Sequence, residues 1–174
     1  MQRIIINAVE FFKSLFGKRK RVVLRKSRIK LILPHRGRML LLDKVTIFPE
    51  KIIGEFLVTK KTCKGHAVLG DKLVLRGSDL LDMAAQLLGV WVGQNSDFFG
   101  RICMVREYGG AKFKNPILPD EKLIIEIDSN NIKEEVLGKD SLETVIITGE
   151  NFLIRTEKET KAQINSVKLV VLFK

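Results

Sequence analysis

The stretch that decides the fold is Ser78–Gln94, with the sequence SDLLDMAAQLLGVWVGQ. At helical spacing its apolar side chains point to all sides of the axis, which predicts a helix that is buried all round. Ser78 or Gly77 can cap its N-terminal end. The polar residues fall on one narrow stripe, formed by Asp79, Asp82 and Gln86. Such a helix needs a cover on every side, and a long curved sheet can provide it.

Runs of apolar and β-branched residues on both sides of this helix predict the strands of that sheet. Turn signals separate them, at Pro49-Glu50 before the helix and at Asn130-Asn131 and Gly149-Glu150 after it. The predicted strands are Met39–Phe48, Lys51–Lys60, Arg101–Glu107, Lys112–Asn115, Lys122–Ile132, Leu142–Thr148, Asn151–Thr156 and Val167–Phe173. One central helix among many antiparallel strands makes an α+β fold.

The composition limits the class of protein. The 174 residues are 45% hydrophobic and 29% charged, which excludes wholesale disorder. No uncharged apolar run is long enough to span a bilayer. The net charge is +11, of which residues 1–30 contribute +9 and the remaining chain +2. Because the excess charge lies on one short segment, we expect no nucleic-acid-binding role for the body of the protein.

The first sixteen residues have the pattern of an amphipathic helix, and a basic run from Lys18 to Lys30 follows. We therefore predict a basic amphipathic extension over residues 1–30 and a separate domain over residues 31–174. Three destinations for the extension stay open: docking on the body or a partner subunit, contact with an anionic membrane, and a targeting segment. The last fits least, because the charges follow the apolar stretch.

The two cysteines, Cys63 and Cys103, do not form a disulfide framework, and this predicts a reducing, cytoplasmic location. We expect Cys63 to be a buried structural residue, not a nucleophile. With His35 and His66 as the only histidines and no Cys-x-x-Cys, no metal site is expected. His35, in a Pro-His-Arg turn, is interpreted as structural.

Two residues have the chemistry of a base and an acid. His66 follows a glycine in the loop before the helix, and Asp82 lies more than one turn into the helix. An imidazole titrates near neutral pH, and burial favours the protonated form of a carboxylic acid. The backbone N–H of Gly77 lies at the positive end of the helix dipole and suits an oxyanion. Gln86, one turn beyond Asp82, is predicted to orient that carboxyl.

Four stretches of the sequence are informative because of their motifs and their order along the chain. They are LPHRGRMLLLDKV at 33–45, GH at 65–66 with GSDLLDMAAQ at 77–86, AKFKNPILPD at 111–120 and VKLVVLF at 167–173. Together they resemble the β-hydroxyacyl-acyl-carrier-protein dehydratases of the hotdog fold, over roughly residues 31–174. The resemblance implies a long central helix wrapped by a curved antiparallel sheet. It also implies a homodimer or a larger assembly of dimers, with His66 of one subunit beside Asp82 of the other.

The activity that this resemblance implies is the dehydration of a (3R)-3-hydroxyacyl thioester on acyl carrier protein to the trans-2-enoyl thioester, in fatty acid biosynthesis. His66 and Asp82 would be catalytic, the N–H of Gly77 would hold the thioester oxygen, and no cofactor would be required. An aspartate at position 82 leans toward the branch that also isomerises the enoyl product, whereas the opening stretch and Lys112–Asp120 lean toward the simple dehydratase branch. Because acyl carrier proteins are acidic, Arg76, Arg36 and Arg38 are the predicted docking residues.

The chain departs from the family pattern at Ala67, directly after the histidine, and at Arg76, directly before the helix glycine. Three alternatives stay open, and these departures motivate the first of them. One is a catalytically weakened hotdog partner subunit or acyl-carrier-binding module. The second is an acyl thioesterase on the same fold, and the third is a protein that binds surfaces through residues 1–30.

Overall fold

The computed structural model describes residues 5–7, 21–94, 98, 101, 103–137 and 144–172. Within these ranges the strands are β1 Ile5–Asn7, β2 Val22–Arg25, β3 Lys44–Ile47, β4 Lys51–Leu57, β5 Val68–Leu69, β6 Lys72–Leu73, β7 Cys103–Tyr108, β8 Ala111–Phe113, β9 Lys122–Asp128, β10 Ile132–Leu137, β11 Thr144–Arg155 and β12 Thr160–Leu172. The helices are α1 Lys26–Ile32, α2 Lys60–Cys63 and α3 Gly77–Gly93, and short 3-10 turns cover Gly37–Met39 and Ser129–Asn131.

Ten of the strands form one antiparallel sheet, and β5 and β6 form a separate small hairpin. The long strands β11 and β12 pair with each other at the centre of the sheet. Beyond β11, the sheet continues through β9 and β10, with β4, β3 and β2 following β9. Beyond β12, it continues through β7 and β8. The antiparallel α+β arrangement predicted from the sequence is confirmed.

The core lies between this sheet and α3, which contacts β3, β4, β7, β9, β11 and β12. Twelve of its residues are buried, among them Trp91 and Met83. The sheet therefore curves around the helix, as the apolar pattern predicts. Gly54 of β4 is needed for this close approach, because a Cβ there would lie 3.2 Å from Leu87 Cδ1 and 2.8 Å from Ile125 Cγ2.

The predicted turn at Gly149-Glu150 is wrong. Residues 144–155 form a single strand, β11, which pairs with β12 on both sides of that point. Asn151 lies in the strand with φ 61°, a left-handed conformation that asparagine adopts more readily than most residues. A local bend inside a continuous strand therefore accounts for the glycine and asparagine that resemble a turn in sequence.

The basic segment is part of the fold from Val22 onward, so the expected boundary at residue 30 is not a structural boundary. Strand β2 pairs with β3, and α1 places Ile29 in the core. The apolar pattern of β2 and α1 is hard to recognise in the sequence, because exposed basic residues lie between buried positions such as Leu24.

The predicted helix over the first sixteen residues is wrong at residues 5–7, which form β1 and pair with β10. β-branched isoleucines favour strands, and the edge of β10 offers unpaired backbone groups to such a strand. Residues 1–4 and 8–16 of that prediction lie outside the described residues. In the part of the chain that is described, no helix has the length and apolarity required to cross a membrane.

Candidate active site

His66 lies exposed in the loop between α2 and β5. Its Nδ1 is 3.1 Å from the backbone oxygen of Val74, three residues before the start of α3. The loop is closed there by a backbone hydrogen bond from Val74 N–H to Ala67 O. The imidazole is therefore held near the N-terminal end of the central helix, and its Nε2 side can face a ligand.

Asp82 lies half-buried on α3 and lines a cavity of about 60 Å³ together with His35 and Gln86. The position of Asp82 more than one turn into the helix predicts that its carboxyl is partly shielded from water, and the structure confirms this. The interpretation of His35 as structural is incomplete, because its ring borders the same cavity and its buried Nδ1 has no hydrogen-bond partner within the described structure. Burial lowers the pKa of His35, while the nearby charge of Asp82 opposes that shift.

Tyr108, at the end of β7, donates its hydroxyl hydrogen to Oδ1 of Asp82 at 3.1 Å. Sequence reasoning missed this residue, since 26 positions separate the two and only the pairing of β7 with β12 brings them together. The one feature of the sequence that could have drawn attention to this residue is that Tyr108 is the single tyrosine of the chain.

The hydrogen bonds of the Gln86 amide do not go to Asp82. Its Oε1 accepts from the N–H of Leu41 at 2.9 Å, and its Nε2 donates to the carbonyl of Met39 at 2.7 Å. The residue therefore fastens the 39–41 segment to the helix. This also explains why the predicted strand over Met39–Phe48 is regular only over β3, since a side chain takes the backbone groups that a strand partner would use.

Gly77 is the first residue of α3, where backbone N–H groups have no intrahelical acceptor. It borders an open cleft of about 240 Å³ with Leu75, Phe113 and Ile117. A Cβ at position 77 would lie 3.3 Å from the ring of Phe113, so glycine lets this ring cover the helix start. Gly77 and Asp82 therefore border different depressions of the same protomer.

Arg76 precedes the helix as its N-terminal cap residue and pairs with the buried Asp79, with Nη2 to Oδ1 at 2.7 Å and Nε to Oδ2 at 3.2 Å. Two bonds to one carboxylate hold the guanidinium in a fixed orientation. The expected caps, Ser78 and Gly77, are therefore wrong by one or two positions. Arg76 has a structural partner here, although its side chain remains partly exposed.

The other two predicted docking residues lie in the turn before β3. Arg36 is exposed and donates to the carbonyls of Leu33 and His35 at 2.7 and 2.8 Å. Arg38 is exposed and borders an open groove with Lys26 and Lys61. All three basic side chains are at least partly exposed.

Both cysteines are free thiols. Cys63 is fully buried, and burial raises its pKa above the usual thiol value. Cys103 lines the cavity of Asp82, and burial raises its pKa to about 11. A thiol with such a pKa is protonated at neutral pH and a weak nucleophile, so neither cysteine suits covalent catalysis.

The chain is similar to known dehydratases. It is 29% identical over 109 residues to the 3-hydroxyacyl-(acyl-carrier-protein) dehydratase FabZ of Clostridium botulinum strain Hall, covering 62% of this chain and 76% of that protein. It is 26% identical over 136 residues to the dehydratase of the same name from Thermoanaerobacter sp. strain X514, covering 75% of this chain and 96% of that protein. No family model matches the chain.

Among solved structures, a hypothetical thioesterase from Streptococcus pneumoniae TIGR4 with coenzyme A matches with a TM-score of 0.44 and 12% identity, covering 72% of this chain and 80% of that one. The fold assignment therefore depends on the observed topology and the sequence similarity, not on this likeness. An antiparallel sheet wrapped around one long helix and the similarity to two dehydratases agree with each other. By these features the chain resembles the dehydratases of the hotdog fold.

Proposed function

We propose that the protein is a homodimeric enzyme that removes water from (3R)-3-hydroxyacyl thioesters carried by acyl carrier protein, giving trans-2-enoyl thioesters. The similarity to the two dehydratases supports the reaction class. The free thiols are consistent with the cytoplasmic location that we propose for it.

The observation that carries the proposal concerns His66, Gly77 and Asp82. Within one protomer, these candidate groups do not all border the same depression. His66 is fastened to Val74, close to the start of α3, and Gly77 borders the cleft there. Asp82 faces another depression, next to β7. In the proposed dimer, the His66 loop of a second copy covers the Asp82 cavity of the first, so that all three groups meet at one substrate.

Strand β7 offers a surface for that second copy. Among the described strands it pairs only with β12, and Met104 and Val105 on it are exposed. An edge strand with exposed apolar side chains is a surface on which a second chain can add. Val105 also lines the Asp82 cavity, so a partner along β7 would lie beside the acid.

In the proposed mechanism, neutral His66 takes the proton from C2, and the electron pair left behind forms the C2–C3 double bond. The C3–O bond breaks, and Asp82 gives its proton to the departing hydroxyl, so that water leaves. The N–H of Gly77 stabilises the negative charge that develops on the thioester oxygen. The thioester itself acidifies C2, so the residues need only move protons and stabilise charge. Proton return from His66 to Asp82 restores the starting state.

Carrier docking is proposed to use Arg36 and Arg38, with Arg76 at the rim. Rim charges act mainly on the rate of encounter and are screened by salt. Because Arg76 also pairs with buried Asp79, charge reversal there would disturb the helix start. Arg38→Glu is therefore the cleaner variant for measuring carrier docking.

The experiment that tests the function is a product assay of the full chain on a 3-hydroxyacyl-acyl-carrier-protein substrate. We expect the ultraviolet absorbance of a conjugated enoyl thioester to appear, without release of free thiol. Release of free thiol without enoyl product would contradict the proposal and favour the thioesterase alternative. Neither product would favour the weakened partner subunit. Chromatography of the enoyl product also shows whether its double bond is moved.

A further inference from the structure

The carboxyl of Asp82 has a hydrogen-bond donor inside its own protomer. The hydroxyl of Tyr108 meets Oδ1 at 3.1 Å, and both side chains are partly buried. Tyr108 lies on β7, which is fixed by its pairing with β12, while Asp82 lies on the rigid central helix. Two regular elements therefore define the geometry of this contact.

The contact distinguishes the two oxygens of the carboxyl. Since Tyr108 donates to Oδ1, a proton on Asp82 is placed on Oδ2, the other oxygen of the carboxyl. Burial, followed by the adjacent charge of Asp82 and the hydrogen bond to it, raises the pKa of Tyr108. The phenol therefore keeps its proton and remains a donor across the neutral range.

We propose that Tyr108 is a positioning residue for the dehydration site, which holds Oδ1 of Asp82 and presents Oδ2 as the atom that gives its proton to the departing hydroxyl. This inference rests on the proposed function. As the proton leaves Oδ2, Asp82 becomes a carboxylate, and the Tyr108 hydrogen bond becomes charge-assisted. Such bonds are roughly twice as strong as neutral ones, so Tyr108 stabilises the transition state more than the bound substrate.

Other polar residues also border the Asp82 cavity. His35 borders the cavity from the loop after α1, and its Nδ1 has no hydrogen-bond partner in the described chain. Arg101 and Cys103 line the cavity from the β7 side, and Arg76 bonds to Asp79. The hydrogen bond from the Tyr108 hydroxyl to Oδ1 of Asp82 is the contact that carries the inference.

The test begins with Tyr108→Phe, which removes the hydroxyl and keeps the ring. We expect kcat for the 3-hydroxyacyl thioester to fall about tenfold, with KM within about twofold, because the lost bond strengthens only as charge develops. Ser166→Ala, which removes a half-buried hydroxyl from the neighbouring strand β12, is the matched control and should keep the wild-type kcat. A Tyr108→Phe variant with wild-type kcat would overturn the proposal, and so would a loss confined to KM.

A second readout does not depend on turnover. Because the chain has one tyrosine, protein labelled with ¹³C at the tyrosine Cζ gives one such resonance. We expect Asp82→Ala to shift this resonance by removing the acceptor, and Asp128→Ala, at the exposed end of β9, to leave it in place. An unchanged resonance in Asp82→Ala would overturn the contact itself. If the wild-type chain does not dehydrate the thioester, the proposed function fails, and this resonance alone decides whether Tyr108 holds Asp82.

Discussion

Replacing His66 with alanine is expected to lower the kcat of dehydration by about 10³-fold, because the variant has no group to take the C2 proton. The free energy of unfolding should change by no more than about 0.5 kcal/mol, since the side chain is exposed. Steady-state kinetics on the 3-hydroxyacyl thioester and urea denaturation measure the two quantities.

The control for His66→Ala is Lys64→Ala, two positions earlier in the same exposed loop. It should keep the wild-type kcat and show the same small change in stability. If His66→Ala keeps most of its turnover, His66 is not the base. His35, which borders the Asp82 cavity, would then be the next residue to replace.

Replacing Asp82 with asparagine is expected to lower kcat by at least about 10²-fold, since an amide cannot deliver the proton. The amide oxygen can still accept from Tyr108, so the shape of the cavity should be kept. Single-turnover kinetics with acyl carrier protein substrate measure the chemical step directly.

Asp79→Asn is the matched control, because it changes the neighbouring acid on the same helix. It weakens the pair with Arg76 and should lower stability, while lowering kcat much less than Asp82→Asn does. Near-normal turnover in Asp82→Asn would show that this carboxyl is structural and would remove it from the mechanism.

The central helix and the strands around it could be predicted because each shows a strong local pattern. Leu80, Val90 and Val92 point to different sides of one helix and are all buried, and only a surrounding sheet can cover them. Bends inside strands were harder to predict, since Gly149 and Asn151 have the composition of a turn whether the strand continues or reverses. Only the pairing with β12 distinguishes the two cases.

The candidate site was predictable only in part. His66, Gly77 and Asp82 lie in one short stretch and could be found by their chemistry and by the resemblance. Tyr108 and His35 are distant in sequence from Asp82, and their roles follow from the packing of β7 and of the loop after α1 beside the helix. Long-range contacts of this kind leave no periodic signal in a single sequence.

Gln86 shows the limit of reasoning from spacing alone. One helical turn separates it from Asp82, which suggested that it orients the acid. Its amide instead meets two backbone groups of the 39–41 segment, because that segment has no strand partner at this point. Buried backbone groups must be satisfied, and this requirement determines the role of the side chain.

The central claim is that each active site takes His66 from one subunit and Asp82 from the other, and mixing two inactive variants tests it most directly. His66→Ala and Asp82→Asn chains are unfolded together in equal amounts, refolded and assayed on the 3-hydroxyacyl thioester. Random pairing makes about half of the dimers mixed, each with one of its two sites intact, so the account predicts about one quarter of the wild-type activity. No recovery of activity, in a mixture shown by native mass spectrometry to contain the mixed dimer, would contradict the shared site.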